Sequence, residues 1–262
     1  MAEAVEEIAR AGGRHVEPAF IKGYVDFDED AFSAAAARRL HRLVAGRGLS
    51  VHAVSAHLDL SRPGAAEDLI RRIGFAADLG AAFLITNSGP AGERDAIRAT
   101  IEAALPRLDA AGLTLALENP GHGSGNLTGT VAAAAAFLRA VGSPRVRLNH
   151  DTGNVFTYSG ERCQPAEDYA AAPDIVAHAH LKDVRSAGGD WVFCALGAGD
   201  VAFSDYWKAV PAGLPVSIEL PLRLDRPGRA DPRRRPEPLS IEAIRHDLSA
   251  SIGYIERLEA AR

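Results

Sequence analysis

The chain is poor in cysteine, with only Cys163 and Cys194 among 262 residues and no CxxC spacing. That argues against a disulfide framework and against a cysteine-built zinc site. It also lacks an excess of positive charge, since 29 Lys and Arg against 34 Asp and Glu leave a formal charge of −5 and a pI near 6.0. The general attraction that draws proteins to a nucleic-acid backbone is therefore missing. There is no long apolar run, and the first residues, MAEAVEEIARAGG, are acidic, so neither a membrane span nor a secretory leader is expected. A cytoplasmic protein acting on small molecules is the default expectation.

What the chain has instead is core material. Its hydrophobic content of 47% over 262 residues suits one large α/β barrel or two small domains, and with no linker dividing the chain it reads as one domain spanning 1–262. Helical patterns lie near 2–11, 31–46, 64–79, 93–111, 129–141, 165–172, 203–210 and 240–260, several of them Ala-rich with charged faces. Strand-like runs lie near 15–21, 51–57, 83–88, 113–119, 145–151, 175–181 and 215–221. Alternation of this kind predicts a parallel sheet, and the spacing suits a (β/α)8 TIM barrel. One strand is absent from the count, because the first helix starts at the initiator methionine. A sheet left open there exposes two edges, and another segment or subunit is expected to cover the gap.

Four of the runs end in a side chain that ligates metals. LTLALE ends at Glu118, RVRLNHD at Asp151, IVAHAH at His180 and VSIE at Glu219. Taken singly, a strand-end carboxylate is more often a helix cap or a salt-bridge partner, and a lone histidine is more often structural. In a barrel, however, these strand ends converge on one mouth, and three carboxylates with one imidazole suit a single hard-to-borderline divalent ion.

The segments ALENP at 116–120, NHDTGNVFTY at 149–158, HAHLKD at 178–183, LGAGDVAF at 196–203 and SIELP at 217–221 together resemble the xylose isomerase-like TIM-barrel superfamily. This is the group of sugar phosphate isomerases and epimerases that also includes inosose dehydratases and endonuclease IV-type repair enzymes. The resemblance implies that Glu118, Asp151, His180 and Glu219 hold one divalent ion, Mn²⁺ first, with Mg²⁺, Co²⁺ or Zn²⁺ as alternatives. It also implies that Glu118 and Glu219 flank the substrate carbon as base and acid. Moving a proton beside a carbonyl needs two such groups and a way to stabilise an enediolate, which the ion provides. Many members carry histidine three residues after the aspartate, but here DTGN places Asn154 there, which argues against a trinuclear zinc site and DNA repair.

Period-two spacing puts His178 behind His180 and Asn149 behind Asp151. His57, Asn87, Asn154, His178 and Lys182 are expected substrate contacts, with His178 equally suited to a place behind the ligands. The loop RLDRPGRADPRRRPEP after Glu219 carries six arginines, of which Arg223 and Arg226 lie nearest the metal and are assigned to an anionic substrate group. Its RRR run is expected to be extended and solvated, in a subunit contact, or part of a lid. The glycine-rich stretches GHGSGN and LGAGD lack nucleotide-loop patterns and are expected to be flexible. Trp191, Phe193, Phe156 and Tyr158 could wall a sugar face or fill the core.

The chain thus reads as a metal-dependent sugar or sugar phosphate isomerase or epimerase. Alternatives are an inosose dehydratase-like or keto-sugar lyase and a non-catalytic sugar-binding accessory subunit. A homo-oligomer is compatible with the open edges.

Overall fold

Strands that are apolar on both faces need cover on both sides, and this chain supplies it by returning through a helix after most strands. The computed structural model describes residues 1–262. It opens with α1 (Ala2–Arg10), β1 (His15–Val16), β2 (Ala19–Phe20), α2 (Ala34–Ala45), β3 (Ser50–Val51), β4 (Ala53–Ala56) and α3 (Ala65–Asp78). The middle comprises β5 (Phe83–Asn87), α4 (Arg94–Ala111), β6 (Thr114–Glu118), α5 (Val131–Val141), β7 (Val146–Asp151), α6 (Thr152–Tyr158), α7 (Pro165–Ala170) and β8 (Val176–Leu181). The last third holds β9 (Asp183–Ala187), β10 (Asp190–Cys194), α8 (Phe203–Ala209), β11 (Val216–Ile218), β12 (Leu224–Arg226), β13 (Arg233–Arg234) and α9 (Ile241–Ala260).

The inner sheet has seven parallel strands in the order β11-β8-β7-β6-β5-β4-β2, the TIM-barrel arrangement. Helix ends follow their local chemistry: the Ser33 and Thr130 hydroxyls cap α2 and α5, while Gly112 ends α4 at φ 65°, in the left-handed region where glycine carries no steric cost. On α4 the buried residues Ile97, Ile101, Ala104 and Leu108 recur at helical spacing and seat that face on the sheet. Each large aliphatic residue buried this way contributes about 1.5–3 kcal/mol. A smaller cluster of Ala53, Phe83, Ile85 and Ala116 adds a second apolar layer.

No strand precedes residue 15, as the strand count implied, so β2 and β11 are the two edges of the inner sheet. The chain ties itself across this seam with side chains rather than with another strand. Glu17 accepts hydrogen bonds from Ser55 on β4 and Ser217 on β11, and pairs with His180 on β8. Outside the sheet, Arg245 of α9 donates twice to Glu7 of α1, at 2.6 and 3.0 Å, which joins the first and last helices.

Two expectations are corrected. Residues 183–194 form an antiparallel hairpin, with Gly188 and Gly189 at its tip at φ 60° and 95°. β10 pairs with β12 and β12 with β13, so the arginine-rich segment expected to be an extended loop or lid folds partly as strands of a four-stranded antiparallel sheet. The LGAGD stretch, expected to be flexible, is pinned: the Asp183 carboxylate accepts the backbone N–H groups of Gly197, Gly199 and Val201 at 2.8, 3.0 and 3.3 Å. A Cβ on Gly199 would lie 2.2 Å from Asp183 Oδ1, so this approach requires glycine. No helix is long and apolar enough to cross a membrane.

Candidate active site

Parallel strands in register bring their C-terminal ends to one mouth, and the sheet pairs Asp151 with His180 across β7 and β8. Glu118 closes β6, and Glu219 follows β11 directly, its N–H donating to the Leu181 carbonyl. The result is the convergence expected from the sequence: ligand atoms of Glu118, Asp151, His180 and Glu219 all lie within 4.8 Å of one another. His180 Nδ1 is 3.7 Å from Glu118 Oε1 and 3.3 Å from Glu219 Oε2. Asp151, Glu118 and His180 are buried, whereas the Glu219 side chain is 30% exposed and faces the opening.

Each of these side chains is held from behind. Asn154 Nδ2 donates to Glu118 Oε1 at 3.1 Å, and His57 Nε2 lies 3.0 Å from Glu118 Oε2. The Arg72 guanidinium donates to the Ala56 and His57 carbonyls, fixing the backbone from which His57 projects. Asp151 Oδ1 accepts the Asn154 N–H and so caps α6, while Asn119 exchanges two hydrogen bonds with the Asp151 backbone. His180 Nε2 is 2.7 Å from Glu17 Oε1, which leaves Nδ1 facing the carboxylates. A carboxylate behind an imidazole in this way orients the ring and strengthens it as a ligand.

Lys182 enters the centre itself. Its Nζ stands 2.5 Å from Asp151 Oδ2 and 3.2 Å from Glu219 Oε2, with the side chain buried. The electrostatics follow from this crowding. Burial alone would raise the Glu118 carboxyl, but His57 and His180 beside it hold it well below the usual carboxylate range. Glu219 is likewise lowered, to about 2, because Lys182 and His180 outweigh its burial. Burial, reinforced by the charges of Glu219 and Glu118, drives Asp151 well above its ordinary value despite the nearby ammonium. His180 is raised because Glu17, Glu118 and Glu219 overcome its burial, and Lys182 is raised by Asp151, Glu219 and Glu118 against its own burial.

These residues fit a divalent cation. Glu118 Oε2, Asp151 Oδ2 and His180 Nδ1 are buried and lack a properly directed hydrogen-bond partner. Three carboxylates also exceed the positive charge around them, as the raised Asp151 reflects. A dication bound among them would supply that charge and favour the ionised carboxylates and the neutral imidazole that ligation needs.

The other expected site residues are distributed unevenly. Asn87, His57, Asn154, Lys182 and Arg226 line one chamber of about 330 Å³, together with His122 and Asn126. Arg226 is nevertheless engaged, since its guanidinium lies 4.5 Å over the Trp191 ring and donates to the Gly121 and Ala230 carbonyls. Arg223 lies on the other side, in a second chamber of about 390 Å³ between β2 and β11. His178, also assigned as a substrate contact, lines neither chamber: it is fully buried behind His180, 2.8 Å from Asn149, and burial lowers it to about 3. Of the aromatics, Phe193 reaches the first chamber while Phe156 is core.

Glu17 is the residue that sequence reading missed. HVE ends in a carboxylate just as LALE does, and the break at Glu17–Pro18 between β1 and β2 divides the run 15–21 that the sequence pattern presents as one strand.

A seven-stranded TIM-barrel sheet with a carboxylate–imidazole centre at its C-terminal mouth defines the class of protein. The sequence matches the Xylose isomerase-like TIM barrel model over residues 5–243, and the chain belongs to that family. Comparison with curated proteins gives no match. Among solved structures the chain is similar to D-psicose 3-epimerase with D-tagatose from Clostridium cellulolyticum H10, with a TM-score of 0.76, 14% identity, and coverage of 98% of this chain and 93% of that one. It is also similar to L-ribulose 3-epimerase, with a TM-score of 0.71, 21% identity, and coverage of 98% and 88%. A third is the probable 3-DHS dehydratase AsbF from Bacillus anthracis, with a TM-score of 0.68, 15% identity, and coverage of 98% and 93%. At these identities the likeness establishes the fold.

Proposed function

We propose that the protein is a divalent-metal-dependent isomerase or epimerase of a sugar or sugar derivative, with Mn²⁺ as the preferred ion and the cytoplasm as its compartment. The observation that carries this reading is the convergence of Glu118 and Glu219 on His180 Nδ1, at 3.7 and 3.3 Å, in the lining of the polar chamber. A divalent ion held by Glu118, Asp151, His180 and Glu219 would polarise a substrate carbonyl and stabilise the negative charge that develops when the adjacent carbon loses a proton.

The remaining chemistry belongs to the chain. Glu118, kept ionised by His57 and His180, is available to accept a proton at a carboxylate oxygen. Glu219, the more exposed of the two and ionised at rest, takes a proton from solvent at the opening and delivers it to the opposite face of the substrate, while Glu118 releases the abstracted proton to solvent. His57 and Asn154 hold the Glu118 oxygens in place, and Asn87, Asn126 and His122 offer donors and acceptors to hydroxyl groups in the chamber. The epimerases among the similar structures support this reading.

A second reading, a lyase, is favoured by Lys182. An ammonium 3.2 Å from Glu219 Oε2 stands ready to protonate a departing hydroxyl, and a dehydratase shares the fold. The first experiment is elemental analysis of the wild type beside Glu219→Gln after Mn²⁺ loading. About one ion per chain in the wild type and markedly less in the variant is the expected result; no bound ion in either protein sinks the proposal. Mass spectrometry of keto- and aldo-sugar reactions then separates a mass-neutral product from one that has lost water.

A further inference from the structure

The centre opens onto two chambers of different character. One is the polar chamber lined by Asn87 and Asn154; the other lies in the seam and shares His57, Glu118 and Glu219 with it. Its apolar walls are Ala19, Ile21 and Val25 on the β2 side and Ile218, Leu220 and Leu222 on the β11 side, with Arg223 and Arg234 also lining it. Val25 is 46% exposed at its rim, one of only three large hydrophobic residues so exposed. Residues 215–221 are half-buried without interruption, whereas the central strands are almost wholly buried, because β11 has a strand on one side only.

Such an opening could receive a strand from a second copy, but its edges are built against that. β2 and β11 are two and three residues long, and Pro18, Pro215 and Pro221 beside them offer no N–H. Short, proline-flanked edges are poor templates for strand addition. A cavity of about 390 Å³ is a good size for a small apolar group, since about 150 Å³ already admits benzene.

We propose that the substrate is a polyhydroxylated compound bearing an apolar substituent of about the bulk of a phenyl ring, and that the seam between β2 and β11 receives this substituent while the polar chamber holds the hydroxyls. The inference rests on the sugar-isomerase reading and narrows its substrate class. An unsubstituted sugar fills the polar chamber and leaves the apolar one in water, so the substituent adds burial without adding a polar contact.

The test uses the Mn²⁺-loaded full chain and isothermal titration with three probes: D-fructose, methyl β-D-glucopyranoside and phenyl β-D-glucopyranoside. The expected result is phenyl glucoside binding at least about tenfold tighter than methyl glucoside. Val25→Asp and Leu220→Ser, checked for folding by circular dichroism, should bring the phenyl compound down to the affinity of the methyl one. Equal affinities in the wild type, or a phenyl preference that survives both substitutions, overturn the inference. If fructose binds without any phenyl preference, only the apolar substituent is lost; if no sugar binds, the isomerase reading falls and this inference with it. Sedimentation at the same concentrations covers the remaining occupant: a dimer abolished by Val25→Asp assigns the seam to a second copy and overturns the proposal.

Discussion

Lys182 Nζ lies 2.5 Å from Asp151 Oδ2, inside the ring of side chains that would coordinate a metal. The ammonium therefore serves as an internal counter-ion for carboxylates that would otherwise repel one another in a buried site. A dication entering the same ring must displace that ammonium or bind beside it, and like charges a few ångströms apart cost several kcal/mol even at an effective dielectric constant of about 20.

Lys182→Met should consequently tighten Mn²⁺ binding by about tenfold or more in isothermal titration. The apo variant should melt below wild type, because it leaves Asp151 and Glu219 without their cation, while the Mn²⁺-loaded variant regains the difference. Weaker Mn²⁺ binding in the variant would show that Lys182 supports the ion rather than competing with it.

Asn154→Ala removes the Nδ2 donor to Glu118 Oε1 and to the Asn119 carbonyl. Loss of a residue that orients a ligand typically costs roughly 10–100-fold in metal affinity. The expected outcome is a Mn²⁺ dissociation constant raised by about tenfold with the melting temperature of the apo protein little changed. An unaltered constant would make Asn154 only the first-turn residue that Asp151 caps.

Tyr206→Phe tests a buried histidine outside the site. His150 Nδ1 is 2.9 Å from the Tyr206 hydroxyl and its Nε2 is 3.2 Å from Asp168 Oδ2, all beneath the surface. Removing the hydroxyl leaves one ring nitrogen unpaired, at a cost of about 1–3 kcal/mol. Urea unfolding should register that loss while Mn²⁺ affinity stays at the wild-type value; a changed affinity would link His150 to the centre.

The pair between Glu7 and Arg245 carries a pH signature. Its hydrogen bond to Arg245 holds the Glu7 carboxyl below 4.5 in the folded protein, so its contribution is fully present above about pH 4.5 and fades as pH falls through the lowered value. Glu7→Gln should lower the melting temperature by about 2–4 °C at pH 7 and flatten the decline of stability below pH 4.5. Identical acid limbs in variant and wild type would contradict this.

Much of the fold and centre was legible because their signals are local. LALE, RLNHD, VAHAH and VSIE are short apolar runs that end in a ligand, and a parallel sheet needs no further information to bring such ends together. The helices of 65–78, 94–111 and 241–260 begin and end within a residue or two of their apolar and capping patterns. Gly188–Gly189 is an equally local hairpin signal, but it lies between HAHLKD and LGAGDVAF, outside every strand and helix pattern of the sequence. The pairing of Lys182 with Asp151 and the role of Glu17 were illegible for a different reason. Where a long flexible side chain comes to rest depends on charges from three other strands, and the role of Glu17 depends on a partner two hundred residues away.

The seam has a mechanical consequence. A closed ring of strands cannot change its circumference without breaking backbone ladders, whereas this sheet is a curled strip with two ends. What fastens those ends at the mouth is the side chain of Glu17, hydrogen-bonded to Ser55, His180 and Ser217. Widening the strip would cost the side-chain hydrogen bonds at that carboxylate and the Glu7–Arg245 pair outside the sheet, with every strand pairing kept. Because the Glu17 carboxylate also orients His180, the closure of the inner sheet at its mouth and the alignment of the central imidazole share one residue.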